Sequence, residues 1–255
     1  MNCPFCESIH VIEKDKKYKC KSCGKEFESL EDNRLNSSLS FNNKITGYGI
    51  SNFSSNRYSN VELSSEKIYE LGIKGTALIE CEDLGYLGSG FLVNNKGMII
   101  TNAHVITNYE INEISKEIYV TINNVKSKAC VVDVGDLDGC DLALLQLERR
   151  NYNQIALSLG NSDNTKIGAK VYAIGNSLGE GLCITAGIIS DKERLVFNEK
   201  CFMSDVAFNS GNSGGPLLNI KWEVIAICVA GKNNVKGMNY FIPINKILSL
   251  LKNYL

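Results

Sequence analysis

A serine flanked by glycines is the feature of this sequence with the clearest chemical meaning. It lies in the run Gly-Asn-Ser-Gly-Gly-Pro at residues 211–216, where Ser213 supplies a hydroxyl. Glycines allow a substrate backbone to approach closely and leave neighbouring N–H groups accessible. The N–H groups of Gly211 and Ser213 can then point to one spot and stabilise an oxyanion. The run predicts a nucleophilic serine, although taken alone it is also typical of a tight turn between strands.

A serine nucleophile needs a base to remove its proton, and histidine is the usual one. The sequence holds only two histidines, His10 and His104. His10 lies among paired cysteines, whereas His104 follows an apolar run that ends in Thr-Asn-Ala. A buried strand that ends in such a polar turn would place the imidazole at a cleft. His104 is therefore the predicted base.

The second ring nitrogen of a catalytic histidine needs a carboxylate that holds the tautomer. Asp141 is the best candidate, because it precedes an apolar run at 142–145, where a buried carboxylate would require a partner. Asp133, Asp136 and Asp138 lie in a more polar loop and are expected to be solvated. The predicted catalytic set thus combines His104, Asp141 and Ser213.

Two Cys-x-x-Cys pairs near the amino terminus have the spacing of a metal site. Thirteen residues separate the pairs, which consist of Cys3, Cys6, Cys20 and Cys23. Four thiolates form the tetrahedron that Zn²⁺ prefers in closed structural sites, so no position is left open for catalysis. The pattern resembles a zinc ribbon and predicts one structural zinc ion, with none needed for the catalytic step. Four unrelated thiols are the alternative, and His10 is expected to be a loop residue.

The charge of this cysteine-rich segment favours a protein partner. Lysines at positions 14, 16, 17, 19, 21 and 25 are offset by acidic residues at 7, 13, 15, 26 and 28. A zinc ion held by four thiolates is itself net negative. We therefore expect docking of a regulatory protein through the ribbon or the linker after it, and we regard nucleic-acid binding as the minority reading.

The elements that must position the catalytic residues are mainly strands. Residues 31–63 are rich in Asn and Ser and predict a linker between a ribbon at 1–30 and a domain at 64–255. In that domain a helix at 65–71 is capped by Ser64, and Asn245 caps a helix at 245–255. Short apolar runs separated by Gly and Asn predict an all-β barrel or sandwich. These runs are 76–80, 91–93, 98–101, 118–122, 129–133, 142–147, 170–174, 182–190 and 224–229.

Composition limits where the protein could work. The 255 residues include 27 Lys+Arg and 28 Asp+Glu, so net charge gives no general attraction to nucleic acid or anionic membrane. The longest apolar run, 224–230, has seven residues, whereas a membrane span needs about twenty. The first residues do not form a secretory signal. The predicted location is cytoplasmic, and the six scattered cysteines are expected to be reduced core residues.

Several runs of the large domain resemble a chymotrypsin-fold serine protease of the HtrA type, the trypsin-like peptidases. They occur in the matching order at 88–93, 101–104, 141–144, 173–176, 187–190, 211–216 and 239–244. The resemblance covers about residues 65–255. It implies two six-stranded antiparallel β-barrels with the triad in the cleft between them. It also implies endopeptidase activity on protein or peptide substrates through an acyl-enzyme. The balanced charge and the short apolar runs, and not the resemblance, predict no membrane partner.

Departures from the family pattern give further expectations. The chain ends soon after its last helix, so no PDZ domain is expected. Asn212 stands where digestive relatives have an aspartate that pairs with a newly cut amino terminus, so we expect activation without such a cut. The resemblance places Ala207 at the floor of the substrate pocket, with Ile227, Cys228 and Val229 as a wall. A pocket without a countercharge favours small or aliphatic substrate side chains over basic ones.

Two classes of function fit these residues. The first is an active, regulated serine endopeptidase. The alternative is a protease-fold binding module that recruits partner proteins and has lost catalysis. The complete set of histidine, aspartate, serine and glycines favours the first, because loss of activity commonly removes one of them.

Overall fold

The computed structural model describes the backbone of residues 11–14, 17–20 and 26–28, together with residues 62–135, 141–151, 153–196, 199–231 and 237–251. The chain divides into two units, Met1–Phe53 and Ser54–Leu255. The predicted linker falls outside the described residues up to position 61. The domain boundaries at 30 and 63 therefore stay predictions.

The amino-terminal unit contains a small antiparallel sheet. Its three strands follow the chain order β1 (Val11–Lys14), β2 (Lys17–Cys20) and β3 (Glu26–Glu28). Val11 pairs with Cys20 across the first hairpin, and Tyr18 pairs with Phe27 across the second. Cys20 is therefore the last residue of β2. The other predicted zinc ligands, Cys3, Cys6 and Cys23, lie outside the described residues.

The first half of the larger unit is a closed antiparallel barrel of six strands. Going round the barrel, the order is β10, β11, β6, β5, β4 and β9. Alternate residues of β9 are buried, as expected where one strand face points into a core. The strands are β4 (Thr76–Cys81), β5 (Tyr86–Leu92), β6 (Met98–Thr101), β9 (Ile118–Ile122), β10 (Val125–Val134) and β11 (Ala143–Leu147). A separate two-stranded ribbon pairs β7 (Thr107–Asn108) with β8 (Glu113–Ile114).

The second half is a sheet of seven strands. Its order is β12, β17, β16, β13, β14, β15 and β18, and β17 also pairs with β18. The strands are β12 (Ser158–Leu159), β13 (Lys170–Asn176), β14 (Leu182–Val196), β15 (Glu199–Ser204), β16 (Pro216–Asn219), β17 (Glu223–Gly231) and β18 (Asn239–Pro243).

Three apolar clusters make up the core. One fills the first barrel and includes Ile99 and Leu145, and another belongs to the second sheet and includes Phe241. The third joins the two sheets and includes Ile100 and Leu144. Because successive strand residues point to opposite faces, Ile99 enters the barrel while Ile100 enters the joint between the sheets. Both faces of β6 are therefore buried, which explains why its first three residues, 98–100, are all apolar.

Helices occupy the ends of the larger unit and one turn of the first barrel. They are α1 (Ser65–Gly72), α2 (Ala103–Ile106) and α3 (Ile244–Leu251), with 3₁₀ turns at Ser162–Asn164 and Ser177–Gly179. The predicted cap of α1 is confirmed, because the Ser64 hydroxyl accepts a hydrogen bond from the Lys67 N–H at 3.4 Å. Within the described residues, no helix is long and apolar enough to span a membrane.

The predicted role of Asn245 is wrong. Helix α3 begins at Ile244, so Asn245 lies inside its first turn. The Asn245 amide oxygen instead accepts from the Ser162 N–H at 3.2 Å, and its NH₂ group donates to Asn161 at 2.7 Å. The side chain therefore ties α3 to a 3₁₀ turn of the second sheet. The sequence could not reveal this use, because an asparagine at a helix start suits either local capping or a distant partner.

The all-β class and a closed six-stranded barrel are confirmed. The prediction that the scattered cysteines are core residues is confirmed for three of them and wrong for Cys130, which is exposed, while Cys140 lies outside the described residues. The scattered cysteines in the described part of the chain are unpaired. They are Cys81, Cys130, Cys183, Cys201 and Cys228, of which Cys81, Cys201 and Cys228 are buried and Cys130 is exposed.

Candidate active site

His104 and Asp141 are in direct contact. Nδ1 of His104 lies 2.6 Å from Oδ2 of Asp141, and the His104 backbone N–H donates to Oδ1 of the same carboxylate at 3.0 Å. The carboxylate is 9 % exposed, whereas the imidazole is 35 % exposed. One buried carboxylate thus fixes both the ring and the backbone of His104. The ring keeps a solvent-accessible side.

Strand pairing explains why these two residues meet. Strands β6 and β11 are antiparallel neighbours, and Thr101 at the end of β6 pairs with Ala143 at the start of β11. Residues that closely follow β6 therefore lie beside residues that closely precede β11. Asn102 reinforces the junction, since its side-chain NH₂ donates to the Asp141 carbonyl at 2.7 Å. Short helix α2 then turns His104 toward the carboxylate.

The serine loop, residues 209–215, lies against the first barrel. The loop is closed by two turns, in which the Asn212 N–H donates to Asn209 at 3.1 Å and the Gly215 N–H donates to Asn212 at 3.0 Å. The carbonyl of half-buried Ser213 accepts a hydrogen bond from the Ser89 N–H on β5 at 2.8 Å. The structure thus attaches the predicted nucleophile to the strand next to β6.

The glycines of the serine loop are required by the protein's own backbone. A Cβ on Gly214 would lie 2.2 Å from the Ser89 carbonyl oxygen and 3.1 Å from the Asn102 nitrogen. A Cβ on Gly211 would lie 2.1 Å from the Asn176 carbonyl oxygen. Both glycines also have positive φ, +92° at Gly211 and +83° at Gly214, which L side chains disfavour. The sequence analysis explained these glycines by the close approach of a substrate. In the structure they also allow the serine loop to pack against Asn102, two residues before His104.

The predicted oxyanion donors are available for a ligand. Among the described residues, the backbone N–H groups of Gly211 and Ser213 have no hydrogen-bond acceptor in the protein, although carbonyls of the same loop are bonded. An oxyanion hole needs such donors, because their bonding capacity must be free for developing negative charge. The catalytic roles of His104, Asp141, Ser213 and these amides stay predictions. The contact between His104 and Asp141 and the unbonded N–H groups are consistent with them.

The predicted pocket residues differ in exposure. Ala207 is exposed, and its carbonyl accepts from the Thr185 hydroxyl at 3.0 Å. Ile227 and Cys228 are fully buried and Val229 is 5 % exposed, so their side chains contribute to the core. The Cys228 backbone pairs with Gly214 and Gly215 at 2.8 and 2.9 Å, which places this strand segment beside the serine loop. Their role as a pocket wall stays a prediction.

The buried thiols are poorly suited to nucleophilic chemistry. Burial raises the pKa of Cys81 and of Cys201 to about 11. Burial also raises the pKa of Cys228, which lies deep in the second sheet. A thiol reacts as its thiolate, so these groups are inert near neutral pH. They support the assignment of the nucleophile to a serine.

Sequence reasoning missed two residues that build the site, Ser89 and Asn102. Both are fully buried polar residues. Both lie in runs that resemble the protease family, at 88–93 and 101–104, but the sequence alone suggested no specific function for either side chain. The signal that could have found them is a polar side chain inside a strongly apolar stretch, since buried polar groups require partners.

Comparison with known proteins places the larger unit among proteases. A family model described as "Trypsin-like peptidase domain" matches residues 88–227. A probable periplasmic serine endoprotease of DegP-like type from Pseudomonas fulva is 37 % identical over 165 residues, which is 62 % of this chain and 33 % of that relative. The putative serine protease HhoA of Synechocystis is 34 % identical over 166 residues, 62 % of this chain and 40 % of the relative. The chain spans about a third of the length of the first curated relatives that it matches.

Solved structures give the same fold. The serine endoprotease from Yersinia pestis superposes with a TM-score of 0.64 and 28 % identity, covering 76 % of this chain and 67 % of that one. The HtrA-type protease AlgW with a bound tripeptide gives a TM-score of 0.66 at 28 % identity, covering 74 % of this chain and 63 % of that one.

The predicted cytoplasmic location is wrong by this comparison. The DegP-like relatives from Pseudomonas fulva, Chlamydia pneumoniae and Hahella chejuensis are all named periplasmic. The prediction relied on the pattern of the first residues of the sequence. An export signal does not pack into the protease domain. The residues that form the fold therefore do not indicate the cellular compartment.

The close approach at Gly214 can be tested by adding one methyl group. Gly214→Ala should lower the free energy of unfolding by about 3 kcal/mol or more, because a positive φ and a backbone clash act together. Gly168 is a matched control, since its φ is also +83° and nothing lies within 4 Å of its Cβ position. Gly168→Ala should cost only about 1–2 kcal/mol. Urea unfolding measures both, and equal losses would show that the clash is absent.

Proposed function

The chain belongs to the trypsin-like peptidase domain family, and on that basis we propose that it is a serine endopeptidase that cleaves protein or peptide substrates. The contact between Nδ1 of His104 and Oδ2 of Asp141, at 2.6 Å, is the observation that carries the proposal. A carboxylate on Nδ1 leaves Nε2 as the basic nitrogen, which is the state that a general base needs. The imidazole ring is 35 % exposed, so a substrate can reach it.

In the proposed mechanism, the Ser213 hydroxyl attacks the carbonyl carbon of the scissile peptide bond and gives its proton to Nε2 of His104. Asp141 stabilises the imidazolium that forms. The N–H groups of Gly211 and Ser213 bind the oxyanion of the tetrahedral intermediate. His104 then protonates the leaving amine as the C–N bond breaks, which produces an acyl-enzyme. A water molecule, deprotonated by His104, hydrolyses the ester and restores Ser213.

We also propose that the second sheet forms the second barrel of the chymotrypsin fold. The pairing of β17 with β18 supports this reading, because it links both strands into a ring that runs through β16, β13, β14 and β15. The large core cluster between the sheets then corresponds to the joint between two barrels. The substrate cleft would open beside this joint, where the serine loop contacts β5.

Labelling with a fluorophosphonate probe tests the proposed activity. The wild-type chain should form a covalent adduct, and Ser213→Ala should abolish it and lower peptide hydrolysis by about 10⁶-fold. Asp141→Asn should retain the nucleophile but lower kcat by about 10⁴-fold, because it no longer holds the correct tautomer. Intact-mass spectrometry and hydrolysis of an unstructured protein measure these effects.

Ser127→Ala serves as the control for the labelling experiment. Among the residues that the structure describes, the Ser127 hydroxyl bonds to backbone groups of Lys128 and Arg149, at 3.2 and 3.3 Å. Its removal should leave labelling unchanged. A folded wild-type chain that never reacts with the probe would favour the alternative, a binding module without catalysis.

We propose a substrate pocket that favours small or aliphatic side chains. Ala207 offers no countercharge, and the nearby Asp205 carboxylate is engaged by the Ile188 N–H at 2.7 Å. Cleavage of a peptide library should therefore show alanine, valine or similar residues before the scissile bond. Ala207→Asp should raise the share of cleavage after lysine or arginine. A wild-type preference for basic residues would contradict the proposed pocket.

We propose that the amino-terminal unit binds one structural zinc ion through Cys3, Cys6, Cys20 and Cys23, and that it docks a regulatory protein. The donor set fits the metal, since four thiolates satisfy tetrahedral Zn²⁺. The antiparallel pairing of β2 with β3 adds support, because Cys20 ends β2 and the position of Cys23 in the sequence falls between the two paired strands. When bound, the zinc would contribute folding free energy to a small unit.

Metal analysis of the purified chain tests the zinc proposal. Wild type should contain one zinc ion per chain, and Cys20→Ser should lose most of it because three thiolates hold zinc weakly at neutral pH. Cys130→Ser is the matched control, since Cys130 is an exposed free thiol of the first barrel. Its zinc content should equal that of wild type. A chain grown with zinc that contains none would refute the site, and loss of regulation by a partner in Cys20→Ser would support the docking role.

A further inference from the structure

Ser89 on β5 makes four hydrogen bonds that all involve the surroundings of the serine loop. Its hydroxyl donates to the Gly211 carbonyl at 2.7 Å and accepts from the Asn176 N–H at 2.8 Å. Its backbone N–H donates to the Ser213 carbonyl at 2.8 Å, and its carbonyl accepts from the Thr101 hydroxyl at 2.7 Å. The residue is fully buried. It therefore connects the first barrel, the end of β13 and the predicted nucleophile.

The carbonyls of the serine loop show why these bonds matter. Four consecutive carbonyls, those of residues 210–213, each accept a hydrogen bond: from Leu178, from the Ser89 hydroxyl, from Gly215 and from the Ser89 N–H. In a trans peptide the N–H points away from the preceding carbonyl. Fixing the carbonyls of residues 210 and 212 therefore directs the N–H groups of Gly211 and Ser213. Three of these donors are backbone groups, and the donor to Gly211 is a side chain.

The Gly211 carbonyl has a central position in this arrangement. It belongs to the peptide that joins Gly211 to Asn212, and that peptide lies between the two amides proposed as oxyanion donors. Gly211 has a φ of +92°, and a glycine restricts rotation of the following peptide only weakly. Two hydrogen bonds hold this peptide: the Ser89 hydroxyl donates to its carbonyl at 2.7 Å, and its own N–H, that of Asn212, donates to the Asn209 carbonyl at 3.1 Å. Loss of the Ser89 bond would leave the carbonyl side of this peptide without a donor, so the peptide could tilt about the remaining turn bond and change the angle between the flanking Gly211 and Ser213 amides.

Two glycines provide the space for the Ser89 side chain. A Cβ on Gly175 would lie 3.1 Å from the Ser89 hydroxyl oxygen, and a Cβ on Gly215 would lie 3.3 Å from its Cβ. The site thus fits a small side chain with a hydroxyl. Burial raises the importance of each bond, because a buried polar group that loses its partner cannot bond to water instead.

We propose that Ser89 is a positioning residue of the peptidase: its hydroxyl bond to the Gly211 carbonyl sets the relative orientation of the Gly211 and Ser213 N–H groups. This inference rests on the proposed function, since the orientation matters for catalysis when these amides bind an oxyanion. Ser89 itself does not contact the reacting atoms. Its effect should be confined to the transition state, in which the oxyanion forms.

Steady-state kinetics of Ser89→Ala test the proposal. We expect kcat to fall about 10- to 100-fold, the cost of misplacing catalytic groups by about an ångström. KM should stay within twofold of wild type, because substrate binding before the chemical step does not depend on the oxyanion donors. The rate of fluorophosphonate labelling should fall with kcat. A folded Ser89→Ala variant with wild-type kcat would overturn the inference.

Thr76→Val is the control for loss of a buried hydroxyl. The fully buried Thr76 hydroxyl donates to the Gly72 carbonyl at 2.9 Å, and neither residue belongs to the serine loop. A merely structural role for Ser89 predicts that both variants lose stability and that both keep kcat. If Ser89→Ala fails to fold, Ser89→Cys takes its place, because a thiol has similar shape but donates weakly.

Hydrogen–deuterium exchange separates this inference from the proposed function. In Ser89→Ala, exchange at residues 209–214 should become faster than in wild type, with no such change in Thr76→Val. This measurement needs no activity. An inactive wild type would refute the proposed peptidase activity. The exchange data would still show whether Ser89 holds the serine loop in position. Unchanged exchange of the loop would refute that role even in an active enzyme.

Discussion

The hydrogen bond between the His104 imidazole and the Asp141 carboxylate depends on the register of one strand pair. Because Thr101 pairs with Ala143, the residues after β6 and before β11 share one end of the first barrel. A shift of this register by one residue would turn the side chains of β6 to the opposite faces. The core prevents such a shift, since Ile99 packs inside the barrel and Ile100 packs in the joint between the sheets.

The serine loop is held to this frame by a close approach of backbones. Gly214 lies so near Ser89 and Asn102 that no side chain fits, and Gly211 lies equally near Asn176. Such contacts bring backbone donors and acceptors within hydrogen-bond distance without intervening side chains. The predicted nucleophile therefore lies on a loop in which the carbonyls of residues 210–213 are all hydrogen-bonded, while the Gly211 and Ser213 N–H groups stay available for a ligand. Bonded carbonyls keep the loop rigid and unbonded N–H groups can bind an oxyanion, and electrostatic stabilisation requires both.

Much of the architecture could be predicted because it rests on local patterns. Alternating apolar residues identified strands such as β9, and Ser64 identified the start of α1. Asn245 shows the limit of such reasoning, since its side chain bonds to Asn161 and Ser162 instead of capping its own helix. The cellular compartment is a second property that local patterns did not predict. The relatives named periplasmic resemble this chain in the protease domain, and the packing of that domain does not depend on export.

The sequence by itself determined which chemistry is available. One histidine lies outside the cysteine cluster, one aspartate begins an apolar strand, and one serine lies in a Gly-Asn-Ser-Gly-Gly run, so the residue types needed for catalysis could be identified without a structure. The tertiary structure decided which backbone groups these side chains meet. Ser89 reaches Gly211 across 122 positions of sequence, and no local pattern encodes that distance. Such contacts follow from strand register and from core packing summed over the whole domain, so they exist only once the chain has folded.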